Sequence, residues 1–234
     1  MINPKRRRYP LLWVEAIIGA GKTTFCREVG KRLNLRFIEE PVDDNPYLED
    51  FYKDQKTWAF SMQMFLLERR KLMQQLAAIE ATGVGGYHGA VLDRSLSGDR
   101  VFAKMHMQKG NIHPRDWNTY EDSYDGACRT LMPPTTLIFL ECQPETAYER
   151  MKMRDRKVEV AVPIDYLREL REGYQELLEE ADTGLMPWGH AVKTKTLIWD
   201  PINDNPDWDR IAATIRDFCA RHMRYPLHEE RRTG

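Results

Sequence analysis

Apolar residues fall along this chain in two alternating rhythms. Residues 11–15, LLWVE, are a short apolar run ahead of a Gly-rich turn, the pattern of a strand covered on both faces. Residues 22–34 then place Phe25, Val29 and Leu33 at helical spacing. A second strand is expected over LRFIEEP, closed by Pro41. A long helix is expected over residues 57–82, with apolar positions at Trp58, Phe60, Met62, Phe65, Leu66, Leu72, Leu76 and Ile79. GAVLDRS, residues 89–95, reads as a third strand that ends in charge. A helix over residues 114–131 is stopped by Pro133 and Pro134, and TTLIFLEC is a fourth strand. PETAYERMKMRDR is a helix that becomes basic, and the helix after it has Pro163 near its start. TKTLIWD is a fifth strand, and residues 206–223 form a final helix. Strands alternating with helices imply an α/β fold, three layers deep (α/β/α), around a five-stranded parallel sheet.

The chain has 234 residues, a length suited to one large α/β domain, and no linker divides it. Residues 1–10 read as a basic tail and residues 223–234 as a second tail. The 35 basic and 36 acidic side chains nearly cancel, so the charge balance points to no nucleic-acid or membrane partner. The longest apolar runs are too short to cross a bilayer. Cys26, Cys128, Cys142 and Cys219 form no CxxC pair, which argues against a zinc site. With no secretory signal in front, the expected setting is cytoplasmic, with reduced thiols.

Candidate chemistry begins at residues 16–23, AIIGAGKT, a P-loop pattern with Ala16 at its first position. Such a loop aims backbone N–H groups and a helix N-terminus at phosphate oxygens. ATP is therefore expected over Ile18, Gly19, Ala20, Gly21, Lys22, Thr23 and Thr24, with Lys22 as a positive charge and the Thr23 hydroxyl as a Mg2+ ligand. Alanine at position 16 is tolerable while its φ stays negative. In open α/β sheets, ligands bind beyond the carboxyl ends of the strands. EEPV and DRS sit there. Phosphoryl transfer needs a clamp on the phosphates and a carboxylate near the acceptor. Glu40 fits the base, Asp93 a Mg2+ ligand, and Arg94 the stabiliser of charge at the acceptor oxygen. Successive strand side chains face opposite ways, so only one of Glu39 and Glu40 should face the site. Arg150, Arg154 and Arg156 fit an arginine-rich lid, over residues 150–162, that closes on the phosphoryl group.

Taken in order, GAGKTT, EEPV, YKDQKTWAFSMQ, DRS, ERMKMRDR followed by VPIDYLREL, and LIWDPINDN resemble the deoxyribonucleoside kinase family, which has the thymidylate-kinase-like P-loop fold. The resemblance runs from about Leu11 to Phe218 and is nearest to deoxyadenosine, deoxyguanosine and deoxycytidine kinases. It implies Glu40 as the base at the 5′-hydroxyl and Arg94 beside the 5′-oxygen. Asp93 stands where the family commonly has glutamate. Arg150, Arg154 and Arg156 match the lid arginines, with Arg154 touching phosphate donor and transition state. Tyr52 matches the tyrosine that binds the sugar 3′-hydroxyl, with Glu159 as its carboxylate partner. The WDPINDN loop, with Asp200 and Ile202, matches the surroundings of the adenine of ATP.

Gln63 presents a donor and an acceptor to a nucleobase edge. In the family that the chain resembles, Arg and Asp at the positions of Arg70 and Asp99 go with purine and cytosine kinases rather than with strict thymidine kinases, and Phe102 is a candidate stacking ring. The bland alternatives are an Arg70 on a solvated helix face and an Asp99–Arg100 ion pair. The expected reaction is transfer from ATP, with Mg2+, to the 5′-hydroxyl of a small-molecule deoxynucleoside, purine-preferring with deoxycytidine close behind. A nucleoside monophosphate kinase and a non-catalytic nucleotide-binding subunit are the alternatives. The resemblance also implies a homodimer, for which the helices at 57–82 and 114–131 are candidates.

Overall fold

Five parallel strands carry the architecture, in the order β2-β3-β1-β4-β5. They are β1 (Leu11–Glu15), β2 (Arg36–Ile38), β3 (Ala90–Asp93), β4 (Thr136–Glu141) and β5 (Lys193–Ile198). The protein is represented by a computed structural model that describes residues 10–39, 45–154, 162–199 and 206–222, with the Arg154 side chain left out. β1 is wholly buried, with Leu12 and Val14 in one cluster and Leu11 and Trp13 in another. The first cluster contains Phe25 and Val29 of α1 (Lys22–Leu33), and the second contains Ala77 of α3 (Gln55–Glu80). Helices therefore cover both faces, as the unbroken apolar run requires. The central strand pairs with β3 on one side and β4 on the other, Val14 opposite both Asp93 and Ile138. Connections diverge there, which opens a crevice beyond the strand ends.

Two helices escaped the sequence reading. α2 (Leu48–Lys53) has only six residues. α4 (Leu96–Gln108) buries Ser97, Asp99 and His106, polar groups that blur the apolar rhythm. Its start is nonetheless capped in the usual way, with the Ser95 hydroxyl accepting from the N–H groups of Ser97 and Gly98 at 3.1 and 3.3 Å. α5 (Pro114–Thr130), α6 (Pro144–Arg154), α7 (Ile164–Thr183) and α8 (Trp208–His222) lie within a few residues of expectation.

Part of the α3 stripe differs. Leu72, Leu76 and Ile79 are 52, 39 and 55% exposed. The buried face runs instead through Ala59, Met62, Gln63, Leu67, Arg70, Gln74 and Ala77. Its polar members make it poor in apolar rhythm. Among the described residues no helix is long and apolar enough to cross a membrane.

Candidate active site

The loop after β1 has the backbone that an anion cradle needs. Gly19 and Gly21 take φ of +81° and +86°, values natural for glycine. At Gly19 a side chain is also excluded by space, since a Cβ would overlap the Ala147 carbonyl oxygen. Ala16 is fully buried and is not among the described non-glycine residues with positive φ, which are Asn34 and Arg94. The departure from the usual glycine therefore adds no backbone strain. Ile18 is half-buried, Ala20 buried and Thr24 exposed.

Lys22 opens α1 and forms a buried ion pair with Asp93 at the end of β3. The Thr23 hydroxyl donates to the other Asp93 oxygen at 2.6 Å. The two expected Mg2+ ligands are thus adjacent although 70 residues apart in sequence. They are hard oxygen donors of the kind Mg2+ takes when substrate phosphates complete its shell. Among the described residues no group of three or more His, Cys, Asp or Glu offers a self-sufficient metal cage.

Arg94 is buried and left-handed, with φ +66°. Its guanidinium donates to the Tyr174 hydroxyl and lies 4.6 Å from the Phe102 ring centre. Phe102 is thus brought against Arg94. Glu39 is exposed and 3.4 Å from Arg27, which removes it from the interior. Arg150 reaches back to the P-loop, donating to the Ala20 carbonyl at 2.9 Å. The Trp199 indole nitrogen lies 3.5 Å from where a Gly21 Cβ would stand.

A second constellation lines α3 and α4. Arg70 donates to Asp99 at 2.6 Å with both side chains buried. The bland alternatives fail on this point: Arg70 is inside, and Arg100 pairs with Glu121 at 2.7 Å and Glu180 at 3.2 Å. Two turns before Arg70, Gln63 is 1% exposed and neither amide atom has a hydrogen-bond partner. Tyr52, on α2, is half-buried and near enough to Tyr166 to push that phenol upward, after burial itself.

Three further buried polar residues lie around these groups and were missed. Tyr120 donates to the second Asp99 oxygen at 3.0 Å and stacks on Trp117, ring centres 5.6 Å apart. Burial and the Asp99 charge raise its pKa well above the usual phenol value, so it stays a donor. His106 contacts Tyr166 at 3.3 Å. Glu15, fully buried, accepts from the Ser95 N–H at 2.7 Å. Only Glu15 left a signal in the sequence, as a charge closing an apolar strand. Of the expected site residues, Glu40, Arg156, Glu159, Asp200, Ile202 and the Arg154 side chain lie outside the described residues.

Comparison with known proteins finds relatives across almost the whole chain. A family model described as deoxynucleoside kinase matches residues 12–220. A deoxyadenosine kinase of Dictyostelium discoideum is 40% identical over 167 residues, 71% of this chain and 66% of that one. A deoxyadenosine/deoxycytidine kinase of Bacillus subtilis (strain 168) is 32% identical over 214 residues, 88% of this chain and 94% of that one. The solved structure of M. mycoides deoxyadenosine kinase with bound dCTP superposes with a TM-score of 0.71 at 25% identity, covering 88% of this chain and 98% of that one.

Proposed function

The chain belongs to the deoxynucleoside kinase family, and on that premise we propose that it transfers the terminal phosphoryl group of ATP to the 5′-hydroxyl of a deoxyribonucleoside, with purine deoxynucleosides preferred. One observation carries the acceptor assignment. Gln63 is buried with a free donor and a free acceptor, on the helix face that also presents Arg70. A buried amide without partners costs roughly 1–3 kcal/mol, which a nucleobase edge would recover. The Arg70–Asp99–Tyr120 set beside it fixes a guanidinium, a donor suited to a ring nitrogen or carbonyl of a purine. Deoxycytidine remains the second acceptor. The names of the relatives, deoxyadenosine and deoxyadenosine/deoxycytidine kinase, support the same ranking.

In this reading the P-loop amides and Lys22 hold the β- and γ-phosphates. Thr23 and Asp93 would hold Mg2+, which when bound neutralises phosphate charge. Glu40 takes the 5′-hydroxyl proton, and Arg94 faces the acceptor oxygen. Tyr52 and Glu159 hold the 3′-hydroxyl, and Phe102 borders the base. Arg150, Arg154 and Arg156 form the lid, and the loop with Asp200 and Ile202 borders the adenine of ATP. Arg150 on the Ala20 carbonyl supports the lid assignment. The enzyme works in the cytoplasm as a homodimer. The exposed Leu72, Leu76 and Ile79 stripe supports pairing through α3. Sedimentation of L72K/L76K as a monomer would agree; an unchanged dimer would move the interface elsewhere.

Initial rates with ATP and each of the four natural deoxynucleosides, and with their 5′-monophosphates, test the function. Turnover of deoxyadenosine or deoxyguanosine above the others is expected. Turnover of monophosphates alone, or of thymidine first, would refute it.

A further inference from the structure

β1 ends on a carboxyl group with no access to water. Glu15 is 0% exposed, and the phosphate cradle begins at the next residue. On the neighbouring strand, the Arg94 N–H makes the last ladder bond, to the Val14 carbonyl at 3.1 Å. Arg94 then turns left-handed, at φ +66°. For a side chain other than glycine that conformation costs about 1–2 kcal/mol, and the surroundings must hold it. After the turn, the next N–H has left the ladder. Glu15 Oε1 accepts it, at 2.7 Å from the Ser95 nitrogen. Ser95 is also the cap residue of α4, so the carboxyl group sits at a helix N-terminus, where negative charge is favoured.

Neighbouring groups fit around this contact. A Cβ at Gly98 would collide with the Glu15 carboxyl, so the first turn of α4 leaves room for that group and nothing larger. The second oxygen, Oε2, is buried and has no hydrogen-bond partner. Burial raises the Glu15 pKa, and the charges of Arg94 and Lys22 and the bonds to Ser95 oppose that rise. The carboxyl therefore lies within electrostatic reach of both cations that flank the path of the phosphoryl group. A leucine would fill the same volume without the cost of burying an unpartnered polar oxygen.

We infer that Glu15 is a positioning residue for phosphoryl transfer: by taking the Ser95 N–H it fixes the left-handed turn that presents Arg94 to the acceptor oxygen. This rests on the kinase reading, in which Arg94 stabilises charge at that oxygen. Glu15 itself touches neither substrate nor phosphate in this scheme; it acts through Arg94.

The test is a double-mutant cycle with Glu15→Leu and Arg94→Ala, read with an amide-exchange measurement at Ser95. Glu15→Leu should lower kcat on the order of 10²-fold, as expected for a displaced catalytic group, while the KM for ATP stays within roughly twofold. Glu15→Gln keeps an acceptor oxygen and should restore most of the loss. In an Arg94→Ala background, Glu15→Leu should cost no more than about twofold further. Ser95 amide exchange should accelerate in Glu15→Leu and stay slow in Glu15→Gln. A full second loss in the Arg94→Ala background, or equal defects in the Leu and Gln variants, would overturn the inference. If Glu15→Leu does not fold, Gly98→Ala takes its place in the cycle, because it crowds the carboxyl group without altering it. The exchange measurement needs no turnover, so it separates failure of the Glu15 role from failure of the kinase reading.

Discussion

Acid should weaken this fold through one buried histidine. His106 is fully buried on α4. Its Nδ1 lies 3.1 Å from the Asn111 amide nitrogen, which also donates to Gln55 at 3.2 Å. That makes Nδ1 the acceptor and leaves Nε2–H to face the Tyr166 hydroxyl at 3.3 Å. The Phe51 ring meets the imidazole edge-on at 5.0 Å. Both nitrogens are satisfied in the neutral form, and no carboxylate is among these partners. Burial, and then the Lys109 charge, lower the pKa from 6.5 to about 4.

The folded state thus resists a proton that the unfolded chain accepts near its ordinary pKa. Stability from this group is complete above the unfolded value and falls as pH drops from 6.5 toward 4. Between pH 7 and pH 5 the loss is about 2 kcal/mol, a large share of the roughly 5–15 kcal/mol that holds an ordinary domain. Urea unfolding of the full chain and of His106→Gln, each at pH 7 and pH 5, measures it. The native protein should lose about 2 kcal/mol more than the variant over this interval. Equal losses in the two proteins would refute the reasoning.

Other outcomes follow from the same geometry. Gln63→Leu should lower kcat/KM for the nucleoside about 10–100-fold and leave the KM for ATP alone; an unaltered nucleoside kcat/KM would remove Gln63 from the base site. Tyr120→Phe removes the hydroxyl that donates to Asp99 beside Arg70, so the ratio of kcat/KM for deoxyadenosine to that for deoxycytidine should shift about fivefold or more, and a constant ratio would show Tyr120 to be packing only. Gly19→Ala demands φ near +81° from alanine and places its methyl against the Ala147 carbonyl and 2.7 Å from Met151. It should cost about 2 kcal/mol or more in thermal unfolding and weaken ATP binding, and a variant of native stability would contradict that crowding.

Local signals carried much of this reading. The strand–loop–helix around Lys22, the acid at the end of β3, and the five-strand alternation depend on residues close together in sequence. They appear in the structure within a few residues of where the periodicity puts them. The pairing of Asp93 with Lys22 and Thr23 also follows from strand ends alone, because parallel strands bring their carboxyl ends to one edge.

The sequence by itself determined the fold class and the phosphate cradle, since spacing and glycine placement encode both directly. Tertiary structure alone decided which charges are sealed inside. Glu15 and Ser95 are 80 residues apart, and Tyr120 and Asp99 are 21 apart on different helices. Nothing in their local pattern marks them as partners. It also decided that α3 buries Gln63 and Arg70 while exposing Leu72 and Ile79. The face a helix turns inward is set by its packing against the sheet and the other helices together, here the one that brings Arg70 to Asp99, and no local rhythm of α3 encodes that choice.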